Sequence, residues 1–372
     1  MPAINLFTCL GLLGLTSTAW ALDNQTLVDQ RGDRLGAFLT QDADTRQGRL
    51  EVVQTGRASQ AYLTQSASLS DSTRVEQGGL GNFANITQAA GGAREVAIDQ
   101  REANQSHAYV YQGHGHGQRN RVDIVQDGRL NEALVRQGGD DQQVRIEQSG
   151  ARNGIELFQD GRDSGTRSRL KQVGDDHIQD VLSLGARNEV DLLQGGAANQ
   201  AQVEQRGDDN YAGARQGARQ QELRLIQTGN SNDARVQQNG LADRPQRISA
   251  VQLGDDNTAQ LLVTGEGNTL DLQQQGSRNT AGILIGGDDA RLTLVTTGND
   301  NAFRANGDGG DIELSVTQLG EGHVFSASLL SAAQVEASQQ GFGQRAVISQ
   351  LSEGNSLSLR QSGQGNSATI QQ

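Results

Sequence analysis

Residues 355–372 read NSLSLRQSGQGNSATIQQ. Ser356 to Gln361 alternates polar and apolar, Ser362-Gly363-Gln364-Gly365 has turn composition, and Asn366 to Gln372 alternates again. Asn366, Ala368, Ile370 and Gln372 stand at steps of two, so they share one face of a strand. The spacing is Q-x-G-x-x-N-x-A-x-[ILV]-x-Q, and most of the chain upstream is a variation on it. Self-similarity at a fixed period is the mark of a repeat architecture.

The marker glutamine recurs at Gln126, Gln137, Gln148 and Gln159 and again from Gln194 to Gln238, in steps such as 137 − 126 = 11. Glycine usually follows two places later and asparagine five, as in Gly128 and Asn131. Both tolerate positive φ, which a turn between stacked strands often requires. Ser183, Val263, Ile285 and Thr296 hold the glutamine register where glutamine is missing. An eleven-residue period also suits a right-handed helical supercoil. Glycine in every unit, and alternation by two at Val144/Ile146 and Ala259/Leu261, predict strand instead.

A second pattern doubles the period. Ala212, Ala234, Ala259, Ala281 and Ala368 alternate with units carrying Leu223, Leu270, Leu292 and Leu357. Small facing large across a thin interior lets two narrow sheets interlock. The expected fold is therefore all-β: an amyloid-like β-solenoid of strand-turn-strand-turn rungs, about 22 residues per rung by this doubling. With a 21-residue leader removed, 372 − 21 = 351 residues give roughly 16 rungs about 4.8 Å apart. Inward glutamines and asparagines would stack in columns, each amide bonding to its neighbours above and below. Irregular steps predict bulging loops near Ser66–Thr73, Ala89–Arg94, Gln112–Asn120, Gly161–Ser168 and Asn239–Gln246.

Composition agrees with a thin core. Hydrophobic residues are 34% and aromatics 3%, with 48 glycines and only 2 prolines, so turns are frequent and ladders rarely interrupted. Disorder would suit so polar a chain, but the apolar residues are spaced and not scattered. The charge, 31 − 44 = −13, argues against nucleic acid or an anionic membrane as partner. Residues 1–21 resemble a signal peptide, with an apolar stretch from Leu10 to Leu15 and Ala19-Trp20-Ala21 as cleavage site. The one cysteine, Cys9, lies inside it, and Leu6-Phe7-Thr8-Cys9 is a poor lipobox. Residues 22–372 would then form one repeat domain without a disulfide, and no later segment is long and apolar enough to span a bilayer.

The spacing resembles the curlin repeat, the unit of bacterial curli fibres. It is complete at Gln77-Gly79-Asn82-Ala84-Gln88, Gln126-Gly128-Asn131-Ala133-Gln137, Gln227-Gly229-Asn232-Ala234-Gln238 and Gln361-Gly363-Asn366-Ala368-Gln372. The likeness covers roughly residues 22–372 and weakens between Ala89 and Asn120 and between Ile285 and Gly310. Gln221, Asn268 and Asn355 replace the serine that commonly opens a curlin strand, and the chain is longer than the familiar five-repeat curlins. The resemblance implies a secreted subunit of an extracellular amyloid fibre, exported through an outer-membrane pore and polymerised on a nucleator for biofilm matrix and surface adhesion. The chain itself supports polymerisation, because its final strand, Asn366 to Gln372, has no charge or proline. The alternatives are a nucleator or minor subunit, and a monomeric solenoid adhesin. An adhesin needs a regular outward threonine or aromatic column, and the outward positions Glu132, Leu134, Arg136, Arg145 and Glu147 show none.

No chemistry competes with this reading. His107, His114 and His116 lie in or near a GHGHG stretch expected to be a solvated loop, so no metal site is assigned. The Gly-Asp-Asp turns at 140–141, 175–176, 208–209, 255–256 and 288–289 lack the nonapeptide period of calcium-binding solenoids and are staggered between adjacent rungs. The glycine turns lack the strand–GxGxxG–helix context that holds phosphate. Ser183, Thr296 and Ser352 have no His/Asp arrangement around them, so neither catalysis nor a cofactor is expected.

Overall fold

The computed structural model describes residues 13–17, 23–114, 118–161, 165–240, 244–286, 290–307, 312–329, 333–350 and 356–371. No helix occurs among them, and the strand pairings are parallel. The chain divides into two compact units, Met1–Asn188 and Glu189–Gln372.

Each unit is a parallel β-solenoid of two facing sheets. In the first unit one sheet stacks Gln25–Asp33, Arg49–Arg57, Ser72–Gln77, Glu95–Gln100, Arg121–Arg129, Gln143–Ala151 and Arg167–Asp175. The other stacks Gly36–Gln41, Gln60–Leu69, Phe83–Gly92, His107–His114, Glu132–Gly139, Gly154–Gly161 and Ile178–Leu184. The chain alternates between them, so a strand pairs with the next but one. Arg121 pairs with Gln143 and Glu132 with Gly154, both 22 residues on, as the doubled period predicts. In the second unit Tyr211–Gln216, Asp233–Asn239, Thr258–Thr264 and Thr280–Ile285 stack in one sheet. Glu222–Thr228, Arg247–Leu253, Thr269–Gln275 and Arg291–Thr297 stack in the other.

The core is one side chain thick on each face. In the second unit the buried column Ala212, Ala234, Ala259 and Ala281 belongs to one sheet, and Leu223, Ile248, Leu270 and Leu292 to the other. The first unit uses the same device. Ala37, Ala61, Ala84, Ala108 and Ala133 form its small column, and Leu50, Val96, Val122 and Val144 lie buried in the facing sheet. Counted strand by strand, the alanines of the two units are out of step by one. The small column widens where Phe303 and Phe325 follow Ala281, their buried rings stacked at 5.5 Å.

The turns correct one expectation. The asparagine five places after the marker does not hold a positive φ. Left-handed backbone falls on the glycine two places after it and on the residue just before the asparagine: Gly128 has φ 97°, Leu130 φ 56°, and Asn131 points inward and is buried. At Gly128 the need for glycine is close approach, since a Cβ there would lie 2.0 Å from the carbonyl oxygen of Gly150 in the next rung.

Two expected loops are also strand in part. Ser66, Ser68 and Leu69 continue the strand Gln60–Leu69 and pair with Ala89, Gly91 and Gly92. The extra residues widen the rung, and Asp71 and Arg94 fill the added interior. His114 ends the strand His107–His114, whereas His116 lies outside the described residues. Parts of the remaining three expected loops also lie outside them. Of residues 1–21, only Leu13–Ser17 is described, as a strand parallel to Gly36–Gln41.

Candidate functional site: the amide ladders and their ends

The marker glutamines point inward because period-two alternation places them on the same face as the core residues before them. A buried amide left without partners costs about 1–3 kcal/mol, so each needs a fixed neighbour. Stacking in register supplies it. In the first unit Gln30, Gln54, Gln77, Gln100, Gln126, Gln148 and Gln172 form one column, each Nε2 donating to the next Oε1 at 2.6 to 2.9 Å. Gln41, Gln65, Gln88, Gln112, Gln137 and Gln159 form the column opposite, at 2.8 to 3.1 Å. The second unit repeats this with Gln205, Gln227, Gln252 and Gln274, and with Gln318, Gln339 and Gln361. Its other sheet runs Gln194, Gln216 and Gln238, after which Val263 and Ile285 hold the position as buried apolar residues. The second amide hydrogen crosses the interior: Gln126 donates to the His107 carbonyl at 3.0 Å and Gln227 to that of Tyr211 at 2.9 Å.

The asparagines form a second set of columns at the corners. Asn131 donates to the carbonyls of Asp127 and Gly150, and its Oδ1 accepts the Asn153 backbone N–H at 3.1 Å. In the second unit Asn210, Asn232, Asn257, Asn279 and Asn301 run the same way, each Oδ1 accepting from the next backbone N–H at 3.0 to 3.1 Å. His323 and Gln344 continue the column.

The four quoted repeats therefore occupy equivalent places. Gln77, Gln88, Gln126, Gln137, Gln227 and Gln238 are buried ladder members, and Asn82, Asn131 and Asn232 are buried corner amides. Ala84, Ala133 and Ala234 lie in the core, while Gly79, Gly128 and Gly229 have positive φ. The last repeat differs because it lies at the end of the stack. Gln361 is 6% exposed, Gly363 has φ 112°, Asn366 is exposed, Ala368 is half-buried and Gln372 is outside the described residues. Ser356–Gln364 and Ser367–Gln371 each pair with one strand only among the described residues.

Two features escaped the sequence reading. The ladders are polar, since in each of these glutamine-to-glutamine bonds the amide donates toward the C-terminal rung. The first unit also carries an outward aromatic array. Phe38 and Tyr62 stack at 4.7 Å, and Phe83 and Tyr109 lie 5.5 Å apart on the same sheet. The expectation of no outward column came from Glu132 and Arg136 and from the opposite sheet, beyond these strands.

The described Gly-Asp-Asp turns are interleaved with other side chains, and Asp288 and Asp289 lie outside the described residues. Asp208 and Asp255 share a corner column but are separated by Asn230, whose side-chain oxygen accepts the Asp208 backbone N–H at 2.9 Å. Elsewhere Asp alternates with Arg: Arg119 with Asp141, Arg152 with Asp176, Arg278 with Asp300, the closest contacts being 2.5 to 2.7 Å. Each pair holds its carboxyl below the usual range, chiefly by the arginine hydrogen bonds. Among the described residues no group of three or more His, Cys, Asp or Glu could hold a metal ion.

A parallel β-solenoid with inward glutamine and asparagine ladders defines a class of stacking proteins. The family model of the curlin associated repeat matches residues 117–150 and 265–298, one stretch in each unit. These two stretches are curlin associated repeats by that match, in line with the spacing read from the sequence. No curated protein matches it. Fold and repeat together indicate a structural protein.

Proposed function

We propose that the chain is a structural subunit of an extracellular curli-type fibre and grows by adding copies at its open strand edges. The supporting observation is the polarity of the ladders. At the C-terminal end Gln361 accepts from Gln339 and donates to the Arg345 carbonyl, with no further glutamine in its column among the described residues. At the other end Gln30 and Gln41 begin columns with donation away from that edge. Donor end and acceptor end are complementary, so a second copy would extend both columns head to tail. Soluble solenoids cap or charge such edges. Ser367–Gln371 carries no charge.

Secretion, an outer-membrane pore and a nucleator follow from the same reading, as does cleavage after Ala21. Leu13–Ser17 lies along Gly36–Gln41 in the full chain, so cleavage would vacate that edge.

The test replaces Gln361 and Asn366 together by alanine and follows elongation of wild-type seeds by thioflavin T. Elongation should slow at least tenfold. Unchanged elongation, with the variant still folded, removes the edge-templating role. A variant that no longer grows alone but is taken up by another curlin's fibres would indicate the nucleator or minor-subunit alternative.

A further inference from the structure

Four successive strands of one sheet in the first unit, Gly36–Gln41, Gln60–Leu69, Phe83–Gly92 and His107–His114, present three residue positions each toward solvent. None of these twelve positions is Asp, Glu, Lys or Arg. In the same rungs the opposite sheet has seven charged residues at its twelve outward positions, among them Arg49, Glu51, Arg74 and Glu76. Phe38, Tyr62, Phe83, Tyr109 and Tyr111 all lie on the uncharged side, in a chain with only 7 phenylalanines and 4 tyrosines. The patch ends where Glu132 and Arg136 enter the next strand.

We propose that this face is a lateral interface for a second copy of the chain, packed sheet against sheet. Three observations choose that occupant. With a net charge of −13, two copies repel least where neither presents charge. The ring geometry disfavours a sugar chain: Phe38 and Tyr62 are stacked 4.7 Å apart within 8°, so each ring covers a face of the other. A pyranose needs an exposed ring face, whereas ring edges suit the ridges of a facing sheet about 10 Å away. The third is size. Four strands at ~4.8 Å, each ~20 Å across, offer about 400 Å² per copy, roughly 800 Å² per pair. A stable interface needs about 1,200 Å² or more, so single chains part and repeated copies hold by avidity.

The interface thus joins fibres side by side, and to that extent rests on the fibre reading. Growth along the axis uses strand edges, lateral joining uses a sheet face, and each can be removed without the other.

The experiment places one cysteine at the face, Tyr62→Cys, in the full chain carrying Cys9→Ser. A control places it on the opposite sheet, Val53→Cys. A bismaleimide matched to the ~10 Å sheet separation is applied to fibres and to the soluble chain at millimolar concentration. Residue 62 of the next copy along the axis is a whole molecule away, so crosslinked dimers report lateral contact. The expected result is at least fivefold more dimer through position 62 than through 53. Equal or lower yield at 62 in both samples overturns the proposal whether or not fibres form. As a second reading, Tyr62→Lys with Tyr109→Lys should keep thioflavin T growth and the ~4.8 Å reflection while electron microscopy shows separate filaments. Bundles of unchanged width would contradict the interface.

Discussion

Arg94 and Asp71 form a buried ion pair: the guanidinium reaches Asp71 Oδ2 at 2.5 and 3.0 Å, with the two side chains 1% and 0% exposed. They take consecutive places in a corner column where other rungs carry amides such as Asn120 and Gln142. Arg94 also donates to the carbonyls of Ala89 and Gln112, and its backbone N–H donates to Asp71 Oδ1. The arginine thus closes the interior of a widened rung.

Removing one partner leaves a charge buried alone, which costs about 3–5 kcal/mol. Arg94→Met should therefore destabilise the first unit by that order in urea melts. Asp71→Asn with Arg94→Met should recover at least half of the loss, because no charge then stays behind. Additive losses would mean that the two side chains do not act as a pair.

Glycine demand should differ sharply between two neighbouring sites. Gly341 has φ 121°, and a Cβ there would lie 1.9 Å from the Gly363 oxygen, whereas Gly343 has φ 58° with nothing within 4 Å. Gly343→Ala should cost only about 1–2 kcal/mol, the price of left-handed backbone. Gly341→Ala must also push two rungs apart and should cost clearly more. Equal losses in thermal melts would show that the rungs are not held at this separation.

The corner arginines set an acid response. Asp141, Asp176 and Asp300 have depressed folded-state pKa values through Arg119, Arg152 and Arg278. Their contribution is present above the unfolded value near 3.9 and is lost as pH falls through the lower folded values. Replacing the three arginines by glutamine should remove that contribution at neutral pH, a small loss because the pairs are exposed, and leave stability at about pH 2 unchanged, so the fall between about pH 4 and pH 2 flattens by the same amount. Carboxyl titration by NMR checks this: the three aspartates should return to the ordinary range. Unmoved titrations would dissociate these pairs from the acid response.

Much of the fold was legible because a solenoid repeats its physics in every rung. Gln126, Asn131, Ala133 and Gln137 sit where period two and the eleven-residue step put them. Register substitutes such as Val263 and Thr296 were legible for the same reason: the column, not the residue type, is conserved in space. Alternation in the first unit was hidden because its alanines run one strand out of step with those of the second. Asp71 and Arg94 fell in expected loops because the repeat steps are irregular there, and only the widened rung shows the interior they share. The aromatic face escaped because Phe38, Tyr62, Phe83 and Tyr109 fall at two outward positions, in strands spaced unevenly along the chain.

The central claim is that the open edges template further copies. The most direct measurement releases purified residues 22–372 from denaturant and follows thioflavin T, then records electron micrographs and fibre diffraction. The account predicts unaided fibres, shortened lag on seeding with preformed ends, and a meridional reflection at about 4.8 Å. A chain that folds to the same β content, stays monomeric at high concentration and seeds nothing would contradict it and leave a lone solenoid adhesin.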